Sequence, residues 1–139
     1  MPGRCFVDTN VILYAASDAP SEARKHDRAL ELLDSMDFCV SAQVIQEFYV
    51  NAIRKGRGLS NPDRVRLWVD RLSLCVVVRI DLAIVEAAIA GVARHQISYW
   101  DAAILSAAEA VGAGILYTED LNHGQRYGSV LVQNPFRDP

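Results

Sequence analysis

The chain has 139 residues, of which 51% are hydrophobic, and its formal net charge at pH 7 is −3. This length predicts a single domain over residues 1–139, and the near-neutral charge excludes a strong overall attraction to nucleic acid. Any such binding must come from a local basic patch or from metal ions. No apolar run approaches the roughly 20 residues that span a bilayer, and the three cysteines fit free thiols in a reducing compartment. We therefore expect a cytoplasmic protein that does not enter a membrane.

Short apolar runs with the composition of buried strands recur along the chain. They cover residues 5–7, 38–40, 75–80, 115–118 and 130–132. Helical periodicity lies between these runs, and the candidate N-cap residues are Ser21, Ser41, Asn61, Asp81 and Ser98. Alternating strands and helices predict an α/β fold, namely a three-layer α/β/α sandwich around a central parallel sheet of about five strands.

Acidic residues follow two of the predicted strands and begin two of the predicted helices. Asp8 comes directly after the first strand, and Asp120 follows the fourth. Glu47 and Asp101 lie in the first turns of helices. Because ligands bind beyond the carboxyl ends of parallel strands, we predict that these four acids share one rim of the sheet.

Each acid also has a purely structural interpretation. Glu47 suits a solvated helix face, and Asp101 suits a capping box with Ser98. Taken together, however, two carboxylates about 4 Å apart repel by roughly 4 kcal/mol at an effective dielectric near 20. Such a cluster needs protonation or a bridging cation, and carboxylate oxygens favour Mg²⁺ or Mn²⁺ over zinc. Ions of this kind support phosphodiester hydrolysis.

The densest basic patch is the stretch Arg54-Lys55-Gly56-Arg57-Gly58. Cations followed by glycine are typical of a helix end, and this patch is also the first candidate for a phosphate contact. We interpret His123 as a loop histidine rather than a site residue.

Motifs across nearly the whole chain together resemble the PIN domain, most closely the VapC-type toxins of bacterial and archaeal toxin–antitoxin pairs. They are DTNVILYA at 8–15, SAQVIQEF at 41–48, YWDA at 99–102 and YTEDL at 117–121. The resemblance implies a Mg²⁺-dependent ribonuclease that acts on RNA, is typically a homodimer and is inhibited by a cognate antitoxin. It also implies metal binding at Asp8, Asp101, Glu47 and Asp120, with Asn10 and Thr118 as supporting side chains.

The chain departs from the family pattern in the loop after the fourth strand. Asn122 stands where many members carry Asp, and Glu119 adds an acid beside Asp120. The sequence therefore leaves open whether Asp120 or Glu119 completes the site.

Other functions fit parts of the pattern. A strand-terminal Asp8 also suits a non-catalytic acidic-pocket regulatory module or a phosphoacceptor. Receiver domains, however, need a lysine after a late strand, and none follows Lys55. A haloacid-dehalogenase-type phosphatase needs Asp where this chain has Asn10. A PIN-type nuclease that processes RNA without being a toxin is the remaining alternative.

Overall fold

The computed structural model describes residues 3–54, 59 and 61–138. Its strands are β1 (Arg4–Val7), β2 (Cys39–Ser41), β3 (Val76–Val78), β4 (Ala113–Tyr117), β5 (Arg126–Tyr127) and β6 (Val130–Gln133). Its helices are α1 (Thr9–Ala16), α2 (Ala23–Asp34), α3 (Ala42–Ala52), α4 (Pro62–Ser73), α5 (Leu82–His95) and α6 (Tyr99–Ala110). A short 3₁₀ turn, Pro20–Glu22, precedes α2. The alternation of strands and helices predicted from the sequence is confirmed.

The strands form one six-stranded sheet in the order β3-β2-β1-β4-β6-β5. All neighbouring pairs are parallel except β5 and β6, which are antiparallel. The predicted number of strands, about five, is therefore one too few. The missed strand, β5, has only two residues and turns back into β6 at Gly128, whose φ is +61°. So short a run carries no alternating hydrophobic pattern that a sequence could reveal.

The core lies on both sides of β1, the strand at the centre of the sheet. Phe6 and Val7 of β1 are fully buried, as are Val40 of β2 and Leu116 of β4. Helices flank the sheet in two groups, because α1 packs with α2, α3 and α4, whereas α5 packs with α6. None of the helices in the described ranges is both long and apolar enough to cross a bilayer.

Most of the predicted helix caps are confirmed. The side chains of Ser41, Asn61, Asp81 and Ser98 accept backbone N–H bonds at the starts of α3, α4, α5 and α6. The prediction for Ser21 is wrong, because Ser21 lies inside the 3₁₀ turn that Pro20 begins, and α2 starts only after Glu22. Within the basic patch, residues 55–58 lie outside the described part of the chain.

Register brings the ends of β1 and β4 together. Val7 of β1 pairs with Tyr117 of β4, so the next residues, Asp8 and Thr118, leave the sheet side by side. Strand order also reverses at this pair, since β2 and β3 lie on one side of β1 while β4 and β6 lie on the other. Ligand sites of open α/β sheets form at such a reversal, beyond the carboxyl ends of the strands.

Candidate active site

Asp8 is a buried carboxylate at the carboxyl end of β1, with a side chain that is 5% exposed. Its Oδ1 accepts the backbone N–H of Thr9 at 2.7 Å, which caps α1, and its Oδ2 accepts the Thr118 hydroxyl at 2.8 Å. Burial, together with the charges of Asp120 and Glu47, raises the pKa of Asp8 to about 7 despite the two hydrogen bonds, which act in the opposite direction. The carboxylate form is thus costly at this position.

Thr118 joins the strand ends through a fully buried hydroxyl. Its Oγ1 donates a hydrogen bond to Asp8. It accepts one from Nδ2 of Asn10 at 3.2 Å and one from the backbone N–H of Asp120 at 3.1 Å. A hydroxyl offers one donor and two acceptor positions, so all of its bonding capacity is used. Thr118 therefore fixes three polar groups relative to one another.

Asn10, in the first turn of α1, holds the loop that follows β4. Its Nδ2 donates to Oδ2 of Asp120 at 3.0 Å, and its Oδ1 accepts the backbone N–H of Glu119 at 3.4 Å. Asp120 is otherwise exposed to solvent. The structure thus gives Asn10 and Thr118 bonds to acids of the candidate site.

Glu47 lies in the second turn of α3 and not in the first turn as predicted, because α3 begins at Ala42. It projects towards α1 and is half-buried. Its Oε1 accepts Nε2 of Gln43 at 2.7 Å, and its Oε2 accepts the Thr9 hydroxyl at 3.1 Å. Gln43 also donates to the backbone carbonyl of Trp100 at 3.3 Å, which ties α3 to the first turn of α6. The carboxylate is therefore held by protein groups. Gln43 and Thr9 were not predicted as site residues, although the i,i+4 spacing of Gln43 and Glu47 carries that signal.

Asp101 lies in the first turn of α6 and is half-buried. Its backbone N–H donates to Ser98 Oγ at 3.1 Å, as expected for a helix cap. Burial raises the pKa of the Asp101 carboxyl, and the charges of Asp120 and Glu47 raise it too, against a hydrogen bond from Ser98. Asp101 and Asp8 therefore have the same two acidic neighbours.

The Glu119 side chain has different hydrogen-bond partners from that of Asp120. Tyr14 donates its hydroxyl to Oε1 of Glu119 at 2.9 Å, and Lys25 donates Nζ to Oε2 at 2.8 Å. Both oxygens of Glu119 are thus engaged by side chains of α1 and α2, whereas Asp120 is bound by Asn10.

His123 has a structural hydrogen bond, because its Nδ1 accepts the backbone N–H of Asn134 at 3.0 Å. This bond joins the loop after β4 to the segment after β6. It agrees with the interpretation of His123 as a loop histidine.

We refer to Asp8, Glu47, Asp101 and Asp120 as the carboxylate cluster. Over residues 3–54, 59 and 61–138, no three acidic, histidine or cysteine side chains already stand at metal-binding distances from a common point. The donor set nevertheless fits a hard divalent ion, because it consists of carboxylate oxygens. The raised pKa values of Asp8 and Asp101 show why a cation would be favourable here, since the anionic forms lack a counter-charge.

Solved structures with the same fold include several toxin–antitoxin proteins. A toxin–antitoxin complex from Klebsiella pneumoniae has a TM-score of 0.70 at 19% identity, covering 94% of this chain and 97% of that chain. VapC20 of Mycobacterium tuberculosis, described as a sarcin-ricin loop cleaving toxin, has a TM-score of 0.67 at 22% identity, covering 84% and 91%. FitAcB from Neisseria gonorrhoeae has a TM-score of 0.61 at 22% identity, covering 95% and 98%.

Identities this low show a shared fold and no more. No curated protein sequence matches this one significantly. The PIN domain family, in contrast, matches residues 5–128 of the sequence itself, a range that includes the whole carboxylate cluster. On the strength of that match, the chain belongs to the PIN domain family.

Proposed function

We propose that this protein is a Mg²⁺-dependent endoribonuclease that hydrolyses RNA phosphodiester bonds and acts as the toxin of a toxin–antitoxin pair. Membership of the PIN domain family and the toxin–antitoxin proteins among its structural neighbours support this proposal. The observation that carries it is the carboxylate cluster. Its residues come from four separate segments, and the charges of Glu47 and Asp120 contribute to the raised pKa of both Asp8 and Asp101 at the point where strand order reverses.

In this proposal the cluster side chains Asp8, Glu47, Asp101 and Asp120 hold Mg²⁺, with Mn²⁺ as a substitute. When bound, such an ion stabilises charge on the scissile phosphate and lowers the pKa of a bound water. The protein's own contribution is orientation. Thr118 fixes Asp8, Asn10 fixes Asp120, and Gln43 fixes Glu47.

Each oxygen of Asp8 keeps bonding capacity for an ion. Its Oδ1 and Oδ2 each accept one hydrogen bond, from Thr9 and Thr118. A carboxylate oxygen has two lone-pair positions, so one position on each remains.

Partners follow from the same proposal. The Klebsiella pneumoniae neighbour is a toxin–antitoxin complex, which supports a cognate antitoxin protein as a partner of this chain. We also propose a homodimer, for which the exposed apolar side chains Leu82 and Ile89 of α5 offer a surface.

Growth arrest on expression of the wild type, but not of Asp101→Asn, separates a toxin from an RNA-processing nuclease.

Digestion of single-stranded RNA with Mg²⁺ or Mn²⁺ tests the enzymatic proposal. Asp8→Asn and Asp101→Asn, assayed separately, should each slow cleavage by more than about 100-fold, because each removes a ligand charge worth several kcal/mol. Asp70→Asn is the matched control, since Asp70 is an exposed acid paired with Arg66 within α4. Cleavage that survives complete chelation, or a folded Asp101→Asn protein that cuts at the wild-type rate, contradicts the proposal.

A further inference from the structure

The acid that precedes Asp120 has its own binding site for its side chain. Lys25 Nζ donates to Oε2 of Glu119 at 2.8 Å, and the Tyr14 hydroxyl donates to Oε1 at 2.9 Å. Lys25 also donates to the Tyr14 hydroxyl oxygen at 3.2 Å, so the three groups are bonded to one another. The side chains of Lys25 and Glu119 are 36% and 23% exposed, which shields this ion pair more than a typical surface pair.

Aromatic rings hold the Lys25 ammonium in place. Its Nζ lies 4.6 Å from the centroid of the Tyr14 ring and 5.4 Å from that of Phe136. The two rings pack edge to face with centroids 5.0 Å apart. Cation–π attraction therefore adds to the ion pair, and the ammonium has a defined position between α1 and the loop after β4.

One face of α1 binds both consecutive acids. Asn10 and Tyr14 are four residues apart on the helix and therefore lie on the same face. Asn10 binds the Asp120 carboxylate, whereas Tyr14 binds that of Glu119. Adjacent turns of one helix thus separate the two carboxylates, and Lys25 neutralises only Glu119.

We propose that Lys25 is a positioning residue that selects Asp120, rather than Glu119, for the carboxylate cluster and so sets its affinity for divalent cations. This inference rests on the proposed metal-dependent function, although cation binding is measurable without RNA cleavage. Lys25 acts through Glu119 and the loop, and it has no contact with the reacting phosphate in this account.

Loss of the Lys25 charge would have two consequences. Glu119 would keep a partly buried carboxylate with no counter-charge, which favours its movement towards solvent and displaces the loop that carries Asp120. The loop would also lose one anchor. Because Asp120 is exposed, its position would then depend on Asn10 and Thr118 alone among the bonds described above.

Calorimetric titration with Mn²⁺ in the absence of RNA tests the inference, together with the Mg²⁺ dependence of cleavage. Lys25→Met should weaken Mn²⁺ binding by about 10-fold, the lower end of the loss seen when groups that orient a metal ligand are removed. The Mg²⁺ concentration for half-maximal cleavage should rise by a similar factor, while kcat at saturating Mg²⁺ stays within about 3-fold. Lys25→Arg, which keeps the charge, should stay within about 3-fold of wild type in its Mn²⁺ affinity and in the Mg²⁺ concentration for half-maximal cleavage.

Arg71→Met is the matched control. Arg71 is 39% exposed, pairs with Asp34 of another helix at 3.1 Å and lies 4.9 Å from the Trp68 ring centroid. Arg71 therefore makes the same kinds of contact as Lys25. It lies in the last turn of α4 and contacts the C-terminal end of α2, whereas Lys25 lies in the first turn of α2. Arg71→Met should lower the Tm as much as Lys25→Met does and leave Mn²⁺ binding unchanged.

A double variant covers the case in which Lys25→Met folds poorly. Lys25→Met with Glu119→Gln leaves no unpaired charge and keeps a group that Tyr14 can bind, so Mn²⁺ binding should recover at least partly. Unchanged Mn²⁺ binding by a folded Lys25→Met protein overturns the inference, as does a wild type that binds no Mn²⁺. Weaker Mn²⁺ binding by Lys25→Met, in a protein that cleaves no RNA, supports this inference while the proposed function fails.

Discussion

At Asp8 the requirements of folding and of cation binding oppose each other. The carboxyl is 5% exposed and beside other acids, so the folded apo protein favours its protonated form and its pKa rises to about 7. A divalent cation reverses that preference, because it supplies the charge that the buried site lacks. A site of this kind is unstable when empty, and its instability favours cation binding.

Asp8→Asn should therefore stabilise the apo protein at alkaline pH. The folded pKa lies above the unfolded one, so the folded state binds more protons, and stability is lost as pH rises from about 4 to 7. In EDTA at pH 8, the variant's free energy of unfolding should exceed that of wild type by about 1–3 kcal/mol, after allowing for one weakened hydrogen bond.

Urea unfolding at a series of pH values measures this effect. The advantage of Asp8→Asn should shrink steadily below pH 7, as the wild-type carboxyl becomes protonated in the folded state. Asp70→Asn, which removes an exposed acid, is the control and should show no such gain. A variant less stable than wild type at pH 8 would show that the buried Asp8 carboxylate does not destabilise the folded protein.

The sequence predicts some of these residues better than others. Asp8 and Asp120 follow apolar runs, so their position at strand ends is visible in the order of residues alone. The separate hydrogen-bond partners of Asp120 and Glu119 were not predictable, because Glu119 is bound by Lys25, which is 94 positions away in the chain. The role of Gln43 depends in the same way on the backbone of Trp100.

Three helices begin at the site, and each start is capped by a side chain. Asp8 caps α1, Ser41 caps α3 and Ser98 caps α6. Free N–H groups and the helix dipole make such ends favourable places for acids, which favours the carboxylates of Asp8, the N-cap of α1, and Asp101, in the first turn of α6.

Two cap variants separate helix stability from site geometry. Ser98→Ala and Asn61→Ala should each cost about 1 kcal/mol of unfolding free energy, because each removes one N-cap hydrogen bond. Only Ser98→Ala should also slow RNA cleavage, by about 10-fold, since Ser98 caps the turn that carries Asp101. Equal cleavage by the two variants would show that the α6 cap has no part in the site.

Element boundaries were predictable where a cap residue marks them. Ser41, Asn61, Asp81 and Ser98 each begin a helix as expected. Ser21 failed as a predicted cap because Pro20 starts a 3₁₀ turn first. The third strand, at the edge of the sheet, is also shorter than its apolar run, Val76–Val78 instead of 75–80.

On the scale of the whole molecule, strand order decides where the carboxylate cluster forms. The alternating pattern predicted an α/β fold and a common rim, but it contains no information on which strands are neighbours. The observed order places β1 beside β4 at the reversal, which brings Asp8 next to Thr118 and Asp120. With a net charge of −3, the protein gains little general attraction for a polyanion, so in the proposed function the cation would also help to accept the RNA.

The central claim is that four separate segments form one divalent-cation site, and calorimetric titration of the wild type and Asp101→Asn with Mn²⁺ tests it most directly. Asp101 lies in α6, far along the chain from Asp8, so it reports on the assembled site rather than on β1 alone. We predict Mn²⁺ binding by the wild type and at least about 10-fold weaker binding by a folded Asp101→Asn protein. Equal Mn²⁺ affinity for the two proteins would contradict the account.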